Sequence, residues 1–333
     1  MKLNKIVLAV ALASSLASAV AAEYQTRIIR FGYGLAEDSN QGRAAKFLSE
    51  DLAKRTGGKM RLKGFASASL GNDNQMQNAL IGGAQEMTVV STATLVGIED
   101  SFGIYDLPFV FRTEQEADAI LDGNFGKKLA TKLEAKGLIG LVYWENGFRN
   151  LTNSKRPITK MEDMQGVKLR VMQNPVYIDM FNGFGANAIP LAFSELFTAL
   201  ESRTVDGQEN PINTIQSSKF YEVQKYLSIT KHVYSPWIVL ASKKWWDGLS
   251  VEEKKAIQES SIASRDFERK DSREAGDKAL DTLKQKGMQI TVISSQELDR
   301  MQGAARPAIA KFSANGHADL VKELQTELGK IRK

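Results

Sequence analysis

The chain has 333 residues, 43% of them hydrophobic, enough for a substantial core and for more than one domain of ordinary size. Its net charge of +5 is the small difference between 44 basic and 39 acidic residues mixed along the chain, with no basic block interleaved with aromatics, so no nucleic-acid partner is expected. There is no cysteine, which excludes disulfides and thiolate metal sites and leaves stability to core packing.

The N-terminus reads as a processing signal. Lys2 and Lys5 precede the apolar run Ile6 to Ala13, and Ala19, Val20 and Ala21 then supply an Ala-x-Ala site. Residues 1–22 are therefore expected to be a signal peptide rather than a buried N-terminal helix, cut after Ala21 or Ala22. No later segment reaches the ~18 apolar residues of a membrane helix. The expected product is exported, soluble and periplasmic.

From there the pattern is α/β. Thr26 to Tyr33 reads as a strand, Gln41 to Arg55 as a helix with Ala44, Ala45, Leu48 and Leu52 on one face, and Thr56-Gly57-Gly58 as its stop. Met60 to Phe65 is a second strand, Asp73 to Ile81 a helix closed by Gly82-Gly83, and Met87 to Ser91 a third strand. Such alternation predicts parallel βαβ units, whose ligands sit at the carboxyl ends of the strands. Helices follow at Glu114 to Leu121 and Phe125 to Lys136, then strands at Leu138 to Trp144 and Phe148 to Thr152. A second alternating set comprises strand Lys168 to Val171, helices Pro175 to Gly183 and Ser194 to Ser202, and strand Val205 to Gln208. Tyr226 to Thr230 and Tyr234 to Ala241 read as strands, and Val251 to Lys286 as one long charged helix. No flexible linker interrupts the chain, so several short crossings between two rigid lobes are expected: 23–146 plus 235–275 in lobe I, 147–234 plus 276–333 in lobe II.

Enzyme chemistry is thinly represented. The two histidines, His232 and His317, form no His-Glu-x-x-His pair. Gly32-Tyr33-Gly34 follows a strand as a dinucleotide fingerprint would, but Glu37 stands where the third glycine belongs and would oppose a pyrophosphate. There is no Gly-x-x-x-x-Gly-Lys loop and no Gly-x-Ser-x-Gly elbow. No cofactor and no metal are expected.

The informative stretch runs from Trp144 to Pro211. In Gly166-Val167-Lys168-Leu169-Arg170-Val171 the apolar Val167, Leu169 and Val171 share one face of a strand and Arg170 takes the other. If that face is covered, Arg170 needs a partner, and a ligand carboxylate would supply it through two parallel hydrogen bonds. On the pattern alone a solvated arginine or an internal ion pair is the favoured reading, since most arginines serve the surface.

Six phrases, in order, carry a resemblance: Ser69-Leu70-Gly71-Asn72, Asp106-Leu107-Pro108-Phe109-Val110-Phe111, Gly147-Phe148-Arg149, Gly166-Val167-Lys168-Leu169-Arg170, Val205-Asp206-Gly207-Gln208-Glu209-Asn210-Pro211, and Phe220-Tyr221-Glu222-Val223-Gln224-Lys225-Tyr226. With them the mature chain resembles the substrate-binding subunits of tripartite ATP-independent periplasmic (TRAP) transporters, the DctP family. The resemblance implies an α/β, two-lobed periplasmic solute-binding fold with a hinge and long C-terminal helices. It implies capture of a small organic acid, a C4-dicarboxylate or a sugar acid, delivered as a monomer to the large and small permease subunits for ion-gradient-driven uptake. It assigns Arg170 to a two-pronged salt bridge with the ligand carboxylate, Arg149 to a supporting role, Asn210 to a hydrogen bond with the same carboxylate, and Phe193 to the pocket wall. Strand-end geometry adds Glu37, Asn40, Asn74, Ser91 and Thr92 from the other lobe, with Trp237 as a cap. A sensor for a receptor kinase, or a periplasmic enzyme acting on an organic acid, are the competing classes.

Overall fold

The computed structural model describes residues 24–332, so the expected signal peptide lies outside the described residues. Strands run β1 (Arg27–Gly32), β2 (Met60–Phe65), β3 (Met87–Ser91), β4 (Leu138–Asn153), β5 (Lys168–Val171), β6 (Asn187–Pro190), β7 (Gly207–Pro211), β8 (Tyr226–Ile229), β9 (Tyr234–Ser242) and β10 (Gln289–Val292). Their order is β2-β1-β3-β9-β4-β7-β5-β6, with β8 joining β4 to β10. The expected parallel units are there: β1 pairs in parallel with β2 and β3, and β5 with β6 and β7. Helices Asn40–Arg55 and Asp73–Gly82 connect the first set, the latter opened by a capping box between Asn72 and Gln75 and closed by Gly83 at φ 82°.

The lobes are joined through β4. Its first part pairs with β9 from Leu138 to Phe148, and its second pairs with β7 from Arg149 to Asn153. The change of partner falls beside a bulge between Glu145 and Gly147, where Gly147 takes φ +110°, a value that disfavours any side chain. The two strands expected at Leu138 to Trp144 and Phe148 to Thr152 are thus one bulged strand crossing between lobes. Two strands escaped the sequence pattern: β6, four residues ending in proline, and the edge strand β10. The strand expected at Val205 to Gln208 runs from Gly207 to Pro211, and just before it Asp206 accepts the backbone N–H of Lys168 at 2.8 Å. The helix expected at Ser194 to Ser202 opens as a 3-10 turn at Phe193–Glu195 and is α-helical over Leu196–Glu201.

Lobe I packs Ile29, Phe31, Leu48, Val89, Trp144 and Val239 on one face of its sheet. Lobe II centres on Leu169, Val171, Tyr177 and Phe181. The 35-residue helix Val251–Gln285, about 52 Å long, lies along Asn40–Arg55 and β4 and reaches Ile212–Ser217 of lobe II, so one rod braces both lobes. Placing all of 276–333 with lobe II does not hold for the last helix, Ala318–Ile331. Its Val321, Leu324 and Leu328 join the core around Ile120 and Phe125 in lobe I.

At the bulge this rod carries a buried acid. Glu268 accepts the backbone N–H of Glu145 at 2.6 Å on Oε2, while Oε1 lies 2.5 Å from the Ser272 hydroxyl, which also takes the Asn40 amide at 2.7 Å. Burial raises the Glu268 pKa from 4.5 to about 8, against the opposing pull of these hydrogen bonds. The folded state therefore holds the neutral acid, and its stabilising contribution is complete below the unfolded pKa and lost as pH rises towards about 8. Glu268→Gln mimics the neutral form. Urea unfolding of both proteins from about pH 5 to about pH 8 should show the wild type losing up to a few kcal/mol relative to the variant. Parallel pH profiles would refute the neutral-acid assignment.

Candidate functional site

The face of β5 that bears Arg170 is covered. Arg170 is 1% exposed, yet its guanidinium makes one hydrogen bond, from Nε to the Leu191 carbonyl at 2.9 Å, and Nη1 has no partner. Burial lowers its pKa to about 10, the neighbouring Arg149 charge acts the same way, and Glu209 and Asp73 oppose. Arg170 thus stays charged at neutral pH.

Arg149, at the point where β4 leaves β9, has the opposite environment. It is fully buried, and its Nε and Nη2 grip the Glu209 carboxylate, with Nη2–Oε1 at 2.8 Å. Nη2 also donates to Asn210 Oδ1 at 3.1 Å, and the guanidinium lies 5.5 Å from the centre of the Tyr177 ring. Burial disfavours its charge, but Glu209 more than compensates and the pKa moves upward. Burial likewise pushes the Glu209 carboxyl upward, and Arg149 and His232 outweigh it, holding the net shift downward. His232 Nε2 sits 3.0 Å from Glu209 Oε2, and burial keeps this imidazole's pKa below normal. The register of β4 against β7 sets this up, pairing Leu151 with Glu209 and Asn150 with Asn210. Nearby, Asp106 accepts from Asn174 Nδ2 at 2.8 Å and from the Tyr177 hydroxyl at 3.1 Å, and burial raises its pKa to about 7.

Glu209 is held ionised in contact with Arg149, whereas Arg170 feels Glu209 and Asp73 only through space and has no carboxylate in contact among the described residues. The surplus positive charge is on Arg170, and it borders a cavity of ≈ 30 Å³ between the lobes. Lobe II supplies Arg170, Gln173 and Phe193 to its wall; lobe I supplies Asp73, Asn74 and Thr94. Asn74 Nδ2 donates to Gln173 Oε1 at 2.9 Å, a direct bridge between lobes. A larger cavity of ≈ 320 Å³ lies on the other side of Gln173, but its charged residues are paired, Lys311 with Asp179 at 2.8 Å and His317 with Asp100 at 3.5 Å. A surplus charge outweighs volume as a marker of ligand chemistry.

Of the residues singled out from sequence, Arg170, Phe193 and Asn74 line this cavity. Arg149 is bound to Glu209, and Asn210 accepts from Arg149, so neither borders the cavity directly. Ser91 is one step removed, its backbone N–H donating to Asp73 Oδ2 at 3.0 Å. Thr92 is buried and bonds the Pro236 carbonyl. Glu37 is exposed on its loop, and Asn40 is tied to Ser272; neither borders the cavity. Trp237 is a core residue of lobe I, paired across β9 with Ser91 and Trp144, so it does not cap the cavity. Asp73, Thr94 and Gln173 were missed. Asp73 sits one residue before the candidate Asn74 and Thr94 two beyond Thr92, and the exit of β5 should have directed attention to Gln173.

A sequence model of the DctP family, bacterial extracellular solute-binding protein family 7, matches residues 31–315. The 2,3-diketo-L-gulonate-binding periplasmic protein YiaO of Escherichia coli K12 is 37% identical over 97% of this chain and 98% of its own. The C4-dicarboxylate-binding periplasmic protein DctP of Rhodobacter capsulatus is 33% identical, covering 83% of each chain. The crystal structure of the sugar acid binding protein DctPAm of Advenella mimigardefordensis with galactonate superposes with a TM-score of 0.91 at 49% identity, over 92% of this chain and 99% of that one.

The two arginines should respond oppositely to mutation. Glu209→Gln strips Arg149 of its only carboxylate and should destabilise the protein by about 3–5 kcal/mol. Arg170→Met removes an uncompensated buried charge at similar volume, so its urea unfolding midpoint should equal or exceed that of the wild type. A large loss of stability in Arg170→Met would show that Arg170 is paired within the protein after all.

Proposed function

The chain belongs to family 7 of the bacterial extracellular solute-binding proteins, the DctP family, and we propose that Arg170 is the anchor by which it captures the carboxylate of a small organic acid. The observation that carries this is the orphaned Nη1 of a buried, charged guanidinium at the interlobe cavity. A carboxylate there would cancel the surplus charge and accept two parallel hydrogen bonds. Arg149, locked to Glu209, supports from behind: its Nη1 also has no partner, and it fixes Asn210 beside the same site.

Binding proceeds without covalent change. With the lobes apart, the positive charge attracts the acid, which docks on lobe II. Asp73, Asn74 and Thr94 then reach it as lobe I swings about the glycine bulge of β4. The acid drives closure only to the extent that it binds the closed form better, and exclusion of water strengthens the ion pair. The closed form is the one handed to the large and small TRAP permease subunits, in the periplasm, for uptake driven by an ion gradient. The sugar acids and C4-dicarboxylates bound by its relatives mark the class of cargo.

Isothermal calorimetry on protein unfolded and refolded to strip bound acid tests the anchor. Arg170→Ala should lose measurable binding with its fold intact. Arg170→Lys should bind weakly, because an ammonium lacks the planar fork. Affinity within a few-fold of wild type in the alanine variant would remove Arg170 from the site.

A further inference from the structure

We propose that Asp73 selects which acids this chain accepts: its carboxylate receives ligand hydroxyl groups and repels a second carboxylate, so the site takes polyhydroxylated monocarboxylates and rejects C4-dicarboxylates. The inference rests on the reading of Arg170 as anchor. Arg170 is the only cation and Asp73 the only anion among the residues lining the cavity; the remaining polar lining, Asn72, Asn74, Thr94 and Gln173, is uncharged.

Asp73 is held in place from two sides. It opens the helix Asp73–Gly82, whose first turn is fixed by the Asn72–Gln75 capping box, and its Oδ2 accepts the Ser91 N–H at 3.0 Å. Burial pushes its pKa up to about 6 against the pull of the Ser91 amide, the Arg170 charge and the Thr94 side chain, so the carboxylate is ionised at neutral pH. Besides that amide, the Thr94 side chain lies beside the carboxylate, which keeps acceptor capacity for a ligand hydroxyl.

The charge balance then discriminates. A monocarboxylate matches Arg170 and brings no further charge. The second carboxylate of a dicarboxylate finds no cation in this cavity and meets the like charge of Asp73 in a water-poor gap. Hydroxyl groups along the chain of a sugar acid donate to Asp73 in charge-assisted hydrogen bonds and exchange others with the neutral amides and Thr94. An acid without hydroxyls leaves the Asp73 carboxylate desolvated and without a donor when the lobes close, which penalises it a second time.

The test is calorimetry with D-galactonate and succinate on stripped wild type, Asp73→Asn and Arg170→Ala. Asn keeps an acceptor oxygen for the Ser91 N–H, so Asp73→Asn should melt at the wild-type temperature. Wild type should prefer D-galactonate by about 100-fold or more, and Asp73→Asn should narrow that ratio by about tenfold, weakening D-galactonate and improving succinate. Equal wild-type affinity for the two acids, or an unchanged ratio in Asp73→Asn, overturns the selector role. If Arg170→Ala loses both acids while the ratio ignores Asp73, the anchor stands and only the selector fails. If Arg170→Ala binds both as wild type does, the anchor fails.

Discussion

The fold of lobe II is organised around a charge it cannot neutralise by itself. An isolated ion moved from water into protein costs several kcal/mol even after relaxation, and β4 and β5 each bring one arginine inside. For Arg149 the cost is offset within the chain: the β4–β7 register seats Glu209 against it, and His232, its pKa lowered by burial, meets the carboxylate oxygen that Arg149 Nε also holds. For Arg170 the nearest full partner is already engaged. The Leu191 carbonyl satisfies one N–H, and Asp73 reaches it through space from the opposite lobe without forming an ion pair of contact distance. Surplus charge, cavity and interlobe seam therefore coincide at one place.

That coincidence couples electrostatics to motion. The seam is bridged by neutral polar contacts such as Asn74 to Gln173 and the Phe109 N–H to the His232 carbonyl, together with Asn174 and Tyr177 to Asp106 and Asn174 to the Ala93 carbonyl. Phe193 adds an apolar contact, packing both on the lobe I core and on the Leu196–Phe220 cluster of lobe II. Such a seam is marginal by design of its parts, since each neutral hydrogen bond contributes only about 1 kcal/mol net. A ligand ion pair formed across it is large on that scale, so occupancy can decide whether the lobes stay together. The long helix braces both lobes, and β4 crosses between them at the Gly147 bulge.

Much of this was legible in the chain. The first three strands and the two helices between them followed from period and glycine stops, because each is a regular amphipathic unit ended by local chemistry. Arg170 stood out because an arginine inside an apolar strand is costly wherever it points. What stayed hidden depended on register. Nothing local to Glu209 distinguishes it from a surface acid; only the antiparallel pairing of β4 with β7, residues sixty apart in sequence, puts it under Arg149. Trp237 failed as a pocket residue for the same reason: an aromatic near a strand end reads alike whether its face is core or cleft, and the β9 ladder turned it to the core. Asp73 was missed by one position, since strand-end reasoning locates a loop but not which of its side chains the following helix aims inward.

The two lobes accordingly divide the work of recognition. Lobe II supplies a carboxylate anchor whose logic, a surplus guanidinium backed by an internal ion pair, is indifferent to the rest of the ligand. Lobe I supplies the groups that meet that remainder, and they sit on the first turn of the helix after β2 and on the turn after β3, outside either core. An anchor buried in strand register is shared by every ligand that carries a carboxylate, whereas a reader on a helix start can change with the rest of the ligand. A single scaffold can then serve a galactonate-binding protein and a C4-dicarboxylate-binding one, with the carboxylate clamp kept and the opposing turn rewritten, and in this chain the turn reads Asn72-Asp73-Asn74.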